Sequence, residues 1–419
     1  MNFFTPFEMP TGASIPERSV CITDFGGVPG GREKNTLAFQ SAIAHLSALG
    51  GGRLNVPEGL WLTGPIHLQS GVELHVEKGA EVRFTADRED YLPPVFTMFE
   101  GVRCFTYSAQ IYARYCHDIA VTGEGRFNGQ GFCWWYTAVD RAGVEALYKA
   151  GEDGLPVEQR VYASDALCLR PNLLHFVDCE NVTIQGAEFT FSPFWTVHPT
   201  WCRNLIVRDI SVYNPWVHAP NTDGCNLEGC SRALIDGIQV DTGDDAVCLK
   251  SGRDFDGRRV NIPCENVVVR RVKAKRSHGG VTIGSEMSGG VKNILVEGCE
   301  FQNSLIGLWI KTAPERGGAV ENIEYRNIRA LKLREYALCI TMGYYVDGNL
   351  PADAPFMPRI RHIGIDGLSC EKAGTGLYIH GMQSSPIEDV HIENADVCGS
   401  TNMDVRDVNG LFLKNTVFR

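Results

Sequence analysis

From residue 181 onward the chain keeps returning to one short pattern: an Asn, a run of apolar or β-branched residues, then a Gly or a charged turn. It occurs as Asn181-Val-Thr-Ile184, Asn204-Leu-Ile-Val207, Asn266-Val-Val-Val269, Asn293-Ile-Leu-Val296 and Asn322-Ile-Glu-Tyr325. The Asn residues stand 23, 62, 27 and 29 positions apart, and Ala233-Leu-Ile-Asp236 fills the wide interval. Strand-like segments recurring at this period are the signature of a solenoid, in which each repeat buries its apolar face only by stacking on its neighbours. Aligned Asn residues in successive turns satisfy one another's amides, so these are read as structural.

Upstream, short strand patterns broken by Gly and Pro cover residues 53–56, 60–63, 72–76 and 82–84. Residues 35–49 instead carry apolar side chains at helical spacing, with Asn35 as the candidate cap and Gly50-Gly51-Gly52 as the stop. A helix there covers the exposed apolar end of a solenoid, so residues 1–52 are read as lead-in plus capping helix. Residues 136–165 and 344–359 lose the strand rhythm and are expected to be insertions, which crowd the binding face of such folds. Repeats near Ile363, Val390 and Leu411 close the stack. No break in composition divides the chain, so residues 1–419 form a single domain.

Candidate chemistry gathers at two turns. Asp223 precedes Asp244 and Asp245 by 21 and 22 residues, about one repeat, which places the three carboxylates on neighbouring coils. Stacked strands are about 4.8 Å apart, so the acids crowd and at least one is pushed toward its protonated form. An enzyme needing one protonated and one ionised carboxyl at the same pH is built in this way.

Composition narrows the classes. A net charge of −11 argues against a nucleic-acid partner. The 15 Cys form no CxxC pair and no zinc spacing, and several lie in apolar strands. They are read as reduced, buried thiols, which favours the cytoplasm. Residues 1–10 lack the basic and apolar regions of a secretory signal, and no apolar run reaches membrane-spanning length, so no membrane association is expected. No cofactor and no metal are expected, and the oligomeric state stays open.

Several motifs resemble one family almost from end to end. They are Asn221-Thr222-Asp223-Gly224, Thr242-Gly243-Asp244-Asp245, His278-Gly279-Gly280 and Ile310-Lys311-Thr312, the last followed by Arg316-Gly317-Gly318. In this order they are similar to glycoside hydrolase family 28, the polygalacturonase-like enzymes. Lys250-Ser-Gly-Arg-Asp254 and Gly284-Ser-Glu-Met-Ser-Gly-Gly290 resemble its bacterial, often exo-acting branch. The resemblance implies an all-β fold, a single-stranded right-handed parallel β-helix with an N-terminal capping helix. It implies metal-independent hydrolysis of α-galacturonosyl linkages in pectic oligosaccharides with inversion. In that scheme Asp244 is the general acid, Asp223 and Asp245 activate water, His278 supports the acid, and Lys311 binds a galacturonate carboxylate. Asn221, Arg253, Arg316 and Tyr344 (or Tyr345) are the further substrate-binding candidates.

Two positions depart from the family pattern. Trp309 stands where the family usually has Arg, and Cys225-Asn226 follows Asp223-Gly224 where Ile-Asp is common. An aromatic face suited to stacking on a sugar thus replaces a guanidinium able to clamp a carboxylate. This leaves open a different pectic linkage, such as one next to rhamnose. Two rival classes also stay open. One is a polysaccharide lyase, with a Lys or Arg base and calcium on the acidic cluster, and one is a non-catalytic glycan-binding solenoid. For Trp134-Trp135-Tyr136 packing is favoured over a place in the cleft.

Overall fold

The computed structural model describes residues 2–135, 138–344 and 353–419, and no side chain of 138–140. The repeats form a right-handed parallel β-helix. Each central coil contributes three short strands, and each strand pairs in parallel with its equivalent one coil away. One ladder runs through Glu180–Gln185, Arg203–Arg208, Ser231–Asp236, Cys264–Arg270 and Val291–Glu297. A second runs through Glu188–Thr190, Ser211–Tyr213, Gln239–Asp241 and Lys273–Arg276. The third runs through Val197–Thr200, Cys225–Glu228, Val247–Lys250, Gly279–Gly284, Ile306–Lys311 and Tyr336–Thr341. It carries the candidate chemistry. In the last coils the corners straighten into long strands, Arg359–His380 and Ile387–Arg406.

The recurring Asn residues turn the corners into the first ladder. Asn181, Asn204, Asn266, Asn293 and Asn322 all have φ between 54° and 58°, a left-handed conformation that Asn tolerates better than most residues. Their amides stack as expected: Asn204 Nδ2 donates to Asn181 Oδ1 and Asn293 Nδ2 to Asn266 Oδ1, both at 2.6 Å.

The segments after these Asn residues are apolar on both faces, and the structure supplies the reason. Leu205, Ala233, Val267 and Ile294 stack inward in one fully buried row. The outward row includes Leu234, Val268 and Leu295, and it is covered by Phe4 and Phe7 of the N-terminal segment. That segment, read from the sequence as an irregular or strand-like lead-in, is a strap running along the solenoid. Thr5 N donates to Asn293 Oδ1 (2.8 Å), Thr11 N to Asn204 Oδ1 (2.7 Å) and Ser14 N to Asp118 Oδ1 (3.0 Å).

Helix α1 (Thr36–Ala48) buries Phe39, Ala42, Ile43 and Leu46 in the main core beside the first strands, closing the N-terminal end. Asn35 occupies the cap position, but its side chain makes no capping bond. It ties the preceding loop instead, bonding Val28 N, Val28 O and Leu62 O. None of the fifteen cysteines, all among the described residues, is in a disulfide. Cys179, Cys202, Cys230 and Cys264 stand one residue before paired strand positions and therefore stack as a thiol column. The thiols of Cys179, Cys202 and Cys230 donate to carbonyls, as Cys202 does to Phe176 O (3.4 Å).

The first insertion contains helix α2 (Ala138–Glu152), and a short helix α3 (Asp254–Val260) follows the third-ladder strand Val247–Lys250. Of the second insertion, Tyr344 and 353–359 are described; Tyr136 and Tyr345 lie outside the described residues. Trp134 is buried against Tyr91 and Tyr107, the packing role expected of it. Among the described residues no helix is long and apolar enough to cross a membrane.

Replacing Asn204 by Ala removes the strap bond and the amide stack, and puts a Cβ-bearing residue without a compensating side chain at φ 56°. Asn204→Ala should cost about 1–3 kcal/mol, read as a lower denaturant midpoint in equilibrium unfolding. An unchanged midpoint would refute this role for the Asn column.

Candidate active site

The third ladder brings the predicted residues together because its coils pair in register. Cys225 pairs with Val247, and Val247 with Val281. Two residues before these pairs, the same register sets Asp223 beside Asp245 and Asp245 beside Gly279. The turn backbone confirms the stacking: Gly224 N donates to Asp245 O, and His278 N to Asp244 O, both at 2.9 Å. Residues 21 to 55 positions apart thus meet on one face.

Strand alternation then decides what points outward. Asn226, Cys248, Thr282 and Trp309 form one transverse row, and Glu228 and Lys250 begin the next. Beyond Gly284, which pairs with Lys311, that second row continues to Thr341. The resulting cleft is lined by Glu100, Trp195, Asn221, Asp223, Asp244, Asp245, Lys250, Ser285, Glu286, Lys311 and Tyr344.

The three acids have different surroundings. Asp245 is buried, accepts Gly279 N at 2.6 Å on Oδ1, and takes Lys311 Nζ at 2.8 Å on Oδ2. Burial raises its pKa, but the charge and hydrogen bond of Lys311, helped by Lys250 and His278, win and lower it to about 2. Asp223 is also buried, and among the described residues its donors are neutral: Asn226 Nδ2 at 3.0 Å and the Cys248 thiol at 3.5 Å. Burial, followed by the charge of Asp244, holds it well above the usual carboxylate range. Asp244 is the most open, its side chain 18% exposed, and its Oδ1 lies 3.2 Å from His278 Nδ1. Burial works against the imidazolium of His278, yet the Asp244 hydrogen bond and charge raise its pKa above 6.5. Trp216 meets the His278 ring edge-on at 5.3 Å.

Two buried lysines flank the acids. Lys311 lies 4.0 Å from the Trp309 ring centroid and 4.8 Å from that of Tyr344, and Trp309 meets Tyr344 edge-on. Trp309 thus carries a cation on its ring, which the stacking reading did not foresee. Lys250, quoted in the sequence only as part of a signature, is ion-paired to Glu286 at 2.7 Å and lies 4.7 Å from the Trp195 ring. Charge partners hold both ammonium groups well above their ordinary range despite burial. Alternation along the strand could have found Lys250, since positions 248 and 250 point the same way. Glu286, Glu100 and Trp195 carried no such signal, because they arrive from turns on other coils.

Three sequence candidates play other parts. Arg316 is buried, donating to Ser285 O at 3.0 Å and pairing with Asp254, so it buttresses a turn rather than lining the cleft. Arg253 stands behind the cleft, its guanidinium 3.7 Å over the Tyr148 ring of α2 and 3.3 Å from Asp254. Asn221 does line the cleft, but its Oδ1 accepts from Arg170 at 2.9 Å. Both arginines were expected at substrate, and both are ion-paired to Asp254.

Behind the cleft, the antiparallel strands Val95–Phe99 and Val102–Thr106 meet at Glu100-Gly101. Both turn residues have positive φ, 43° and 79°, the pattern of a two-residue hairpin turn. The tip is pinned: Arg253 N donates to Gly101 O at 2.9 Å, and the Tyr148 hydroxyl bonds the Glu100 carboxylate. Burial, with the nearby charge of Glu286, raises Glu100 to about 7. The first insertion therefore braces a hairpin tip that faces the cleft. As for a metal, the donor atoms of Asp223, Asp245 and Cys248 all lie within 4.8 Å of one another.

Comparison with known proteins agrees with this geometry. The family described as glycosyl hydrolases family 28 matches residues 163–416. A probable polygalacturonase of Vitis vinifera is 30% identical, covering 92% of this chain and 75% of its own. An exo-poly-α-D-galacturonosidase of Dickeya chrysanthemi is 24% identical, over 80% of this chain and 58% of its own. The crystal structure of a hyperthermoactive exopolygalacturonase from Thermotoga maritima superposes with a TM-score of 0.91 at 34% identity, covering 98% of this chain and 93% of that one. The register-built acid cluster lies within the matched span, and the chain belongs to glycosyl hydrolases family 28.

Proposed function

We propose that this protein is an inverting, exo-acting hydrolase of α-linked galacturonate oligomers. The observation that carries the reading is the carboxylate cluster. Asp245 is ionised by Lys311, Asp223 beside it is held toward its protonated form, and Asp244 stands open against a protonable His278. In this reading Asp244 protonates the departing glycosidic oxygen. The coupled pair Asp223 and Asp245 takes the proton of the attacking water and titrates as a unit. His278 stays an imidazolium above pH 6.5 and returns a proton to Asp244 between turnovers.

A protein of net charge −11 must offset its own field to hold a polyanion. Lys311 does so at the cleft, where a uronate carboxylate competes with Asp245 for the ammonium. Trp309 and Tyr344 position that lysine through their rings. The hairpin tip supports exo action: Glu100, braced by Tyr148, lines the cleft, and in this reading it blocks passage of the chain so that a polymer enters by its terminus. The names of the Dickeya and Thermotoga relatives support the same mode.

Elimination by a lyase needs a basic lysine or arginine, and both cleft lysines are ion-paired and held well above their ordinary range. The free thiols support a reducing compartment, the cytoplasm, with imported oligosaccharides as substrates. Trp309 in place of Arg supports a second reading, hydrolysis of a pectic linkage next to rhamnose, on the same machinery.

Digestion of an α-1,4-linked galacturonate hexamer in EDTA should release monomer from the first turnovers. Early dimers and trimers would contradict exo action, and an unsaturated, ultraviolet-absorbing product would mean a lyase. Asp244→Asn should lower kcat by about 10²–10⁴-fold with an unchanged circular dichroism spectrum; full activity would remove Asp244 as the acid. In wild-type protein the alkaline limb of kcat/KM should lie above pH 6.5, because the raised His278 pKa keeps the cation until then. In Asp244→Asn the raising partner is gone and burial remains, so the NMR titration midpoint of His278 should fall. An unchanged midpoint would show that Asp244 does not set it.

A further inference from the structure

Cys248 lies where a catalytic carboxylate pair would be expected to exclude a thiol. Its Sγ is 3.2 Å from Asp245 Oδ2 and 3.5 Å from Asp223 Oδ2, and all three residues are buried. A tetrahedral zinc-class ion with a metal–sulfur bond of about 2.3 Å and a metal–oxygen bond of about 2.0 Å sets its sulfur and oxygen ligands about 3.5 Å apart. The two sulfur–oxygen edges here are already close to that length.

The surroundings point to the same place. Asn226 and Thr282 flank Cys248 in the same transverse row, and neither has any exposed surface. Asn226 spends its amide nitrogen on Asp223, while among the described residues its Oδ1 has no hydrogen-bond partner, and Thr282 Oγ1 has none either. A Cβ placed on Gly279 would lie 2.1 Å from Thr282 Oγ1 and 2.7 Å from Asp245 Oδ1, so these two oxygens are neighbours. A thiol and two carboxylates therefore converge where buried polar oxygens are left unmatched, an arrangement that costs stability unless something meets it.

We propose that Asp223, Asp245 and Cys248 form a binding site for a thiophilic divalent cation of the zinc and cadmium class. Binding replaces the Cys248 S–H bond by a sulfur–metal bond and releases the thiol proton, together with the proton held on Asp223, to solvent. The cation also displaces the Lys311 ammonium from Asp245 Oδ2. Lys311 competes for that oxygen, which makes the cation a reversible ligand rather than a resident one. If the assigned catalytic roles hold, an occupied site cannot activate water, and the cation is an inhibitor. This second part rests on the proposed function; the binding itself does not.

The probe is cadmium chloride added to the full-length protein, with two readouts: the ultraviolet charge-transfer band of a cadmium thiolate and the hydrolysis rate. Wild type should bind one equivalent that Cys248→Ala lacks, visible as a difference band, since other thiols give the same background in both. Half-inhibition of Cys248→Ala should need at least ten times more cadmium, and EDTA should restore the wild-type rate. Equal bands and equal inhibition in the two proteins would overturn the proposal. Should Cys248→Ala not fold, Asp223→Asn keeps the thiol and loses one charged ligand. Calorimetry should then show cadmium binding weakened at least tenfold, and unchanged binding would overturn the site. If wild type cleaves no pectic oligomer, the functional reading fails while the difference band still decides the site.

Discussion

Parallel hydrogen bonding between successive coils fixes where every side chain of the cleft stands. Gly224 N bonds Asp245 O and Ala246 N bonds Gly279 O, at 2.9 and 2.8 Å. These contacts set Asp223 and Asp245 side by side although 22 residues separate them. A slip of one residue would turn Cys248 and Lys250 inward and Val247 and Leu249 out. That would bury a lysine in the core, so the apolar rows that hold the fold together also hold the geometry of the cleft. The Asn corners and the N-terminal strap, which clamps several coils from outside, serve the same register.

Within that frame the electrostatics divide the work. Two buried acids with different partners are driven in opposite directions, Asp245 by an ammonium and Asp223 by burial beside other carboxylates. The cations that stabilise this arrangement are themselves buried and paired, Lys311 with Asp245 and Lys250 with Glu286. Removing one member of such a pair leaves an uncompensated charge, a loss of several kcal/mol in comparable cases. The site is therefore a network rather than three separate acids, and Trp309 fits it by holding Lys311 over its ring.

The fold was legible because its signal repeats. Asn181, Asn204, Asn266 and Asn293 mark equivalent corners, and the distance from Asp223 to Asp245 matches one coil. The helix over 35–49 was visible from its period, though Asn35 spends its side chain on the loop before it. What stayed hidden depends on contacts between segments with no shared rhythm. The strap could not be seen, because residues 2–14 carry no strand pattern; its only trace was the apolar outer row that it covers. Arg253 and Arg316 appeared free to bind substrate, but Asp254, Tyr148 and Ser285 O claim them first. Glu286 and Glu100 reach Lys250 from turns elsewhere in the chain, and no local pattern announces that.

In the proposed mechanism a stacked set of three carboxylates delivers water to one face of the sugar and a proton to the other. Proton NMR of the anomeric signals in the first minutes of galacturonate oligomer hydrolysis, before mutarotation, tests it directly. With inversion, the newly released galacturonate appears as the β-anomer from an α-linkage. Initial release of the α-anomer would contradict it, since retention requires a carboxylate to act as nucleophile rather than to activate water.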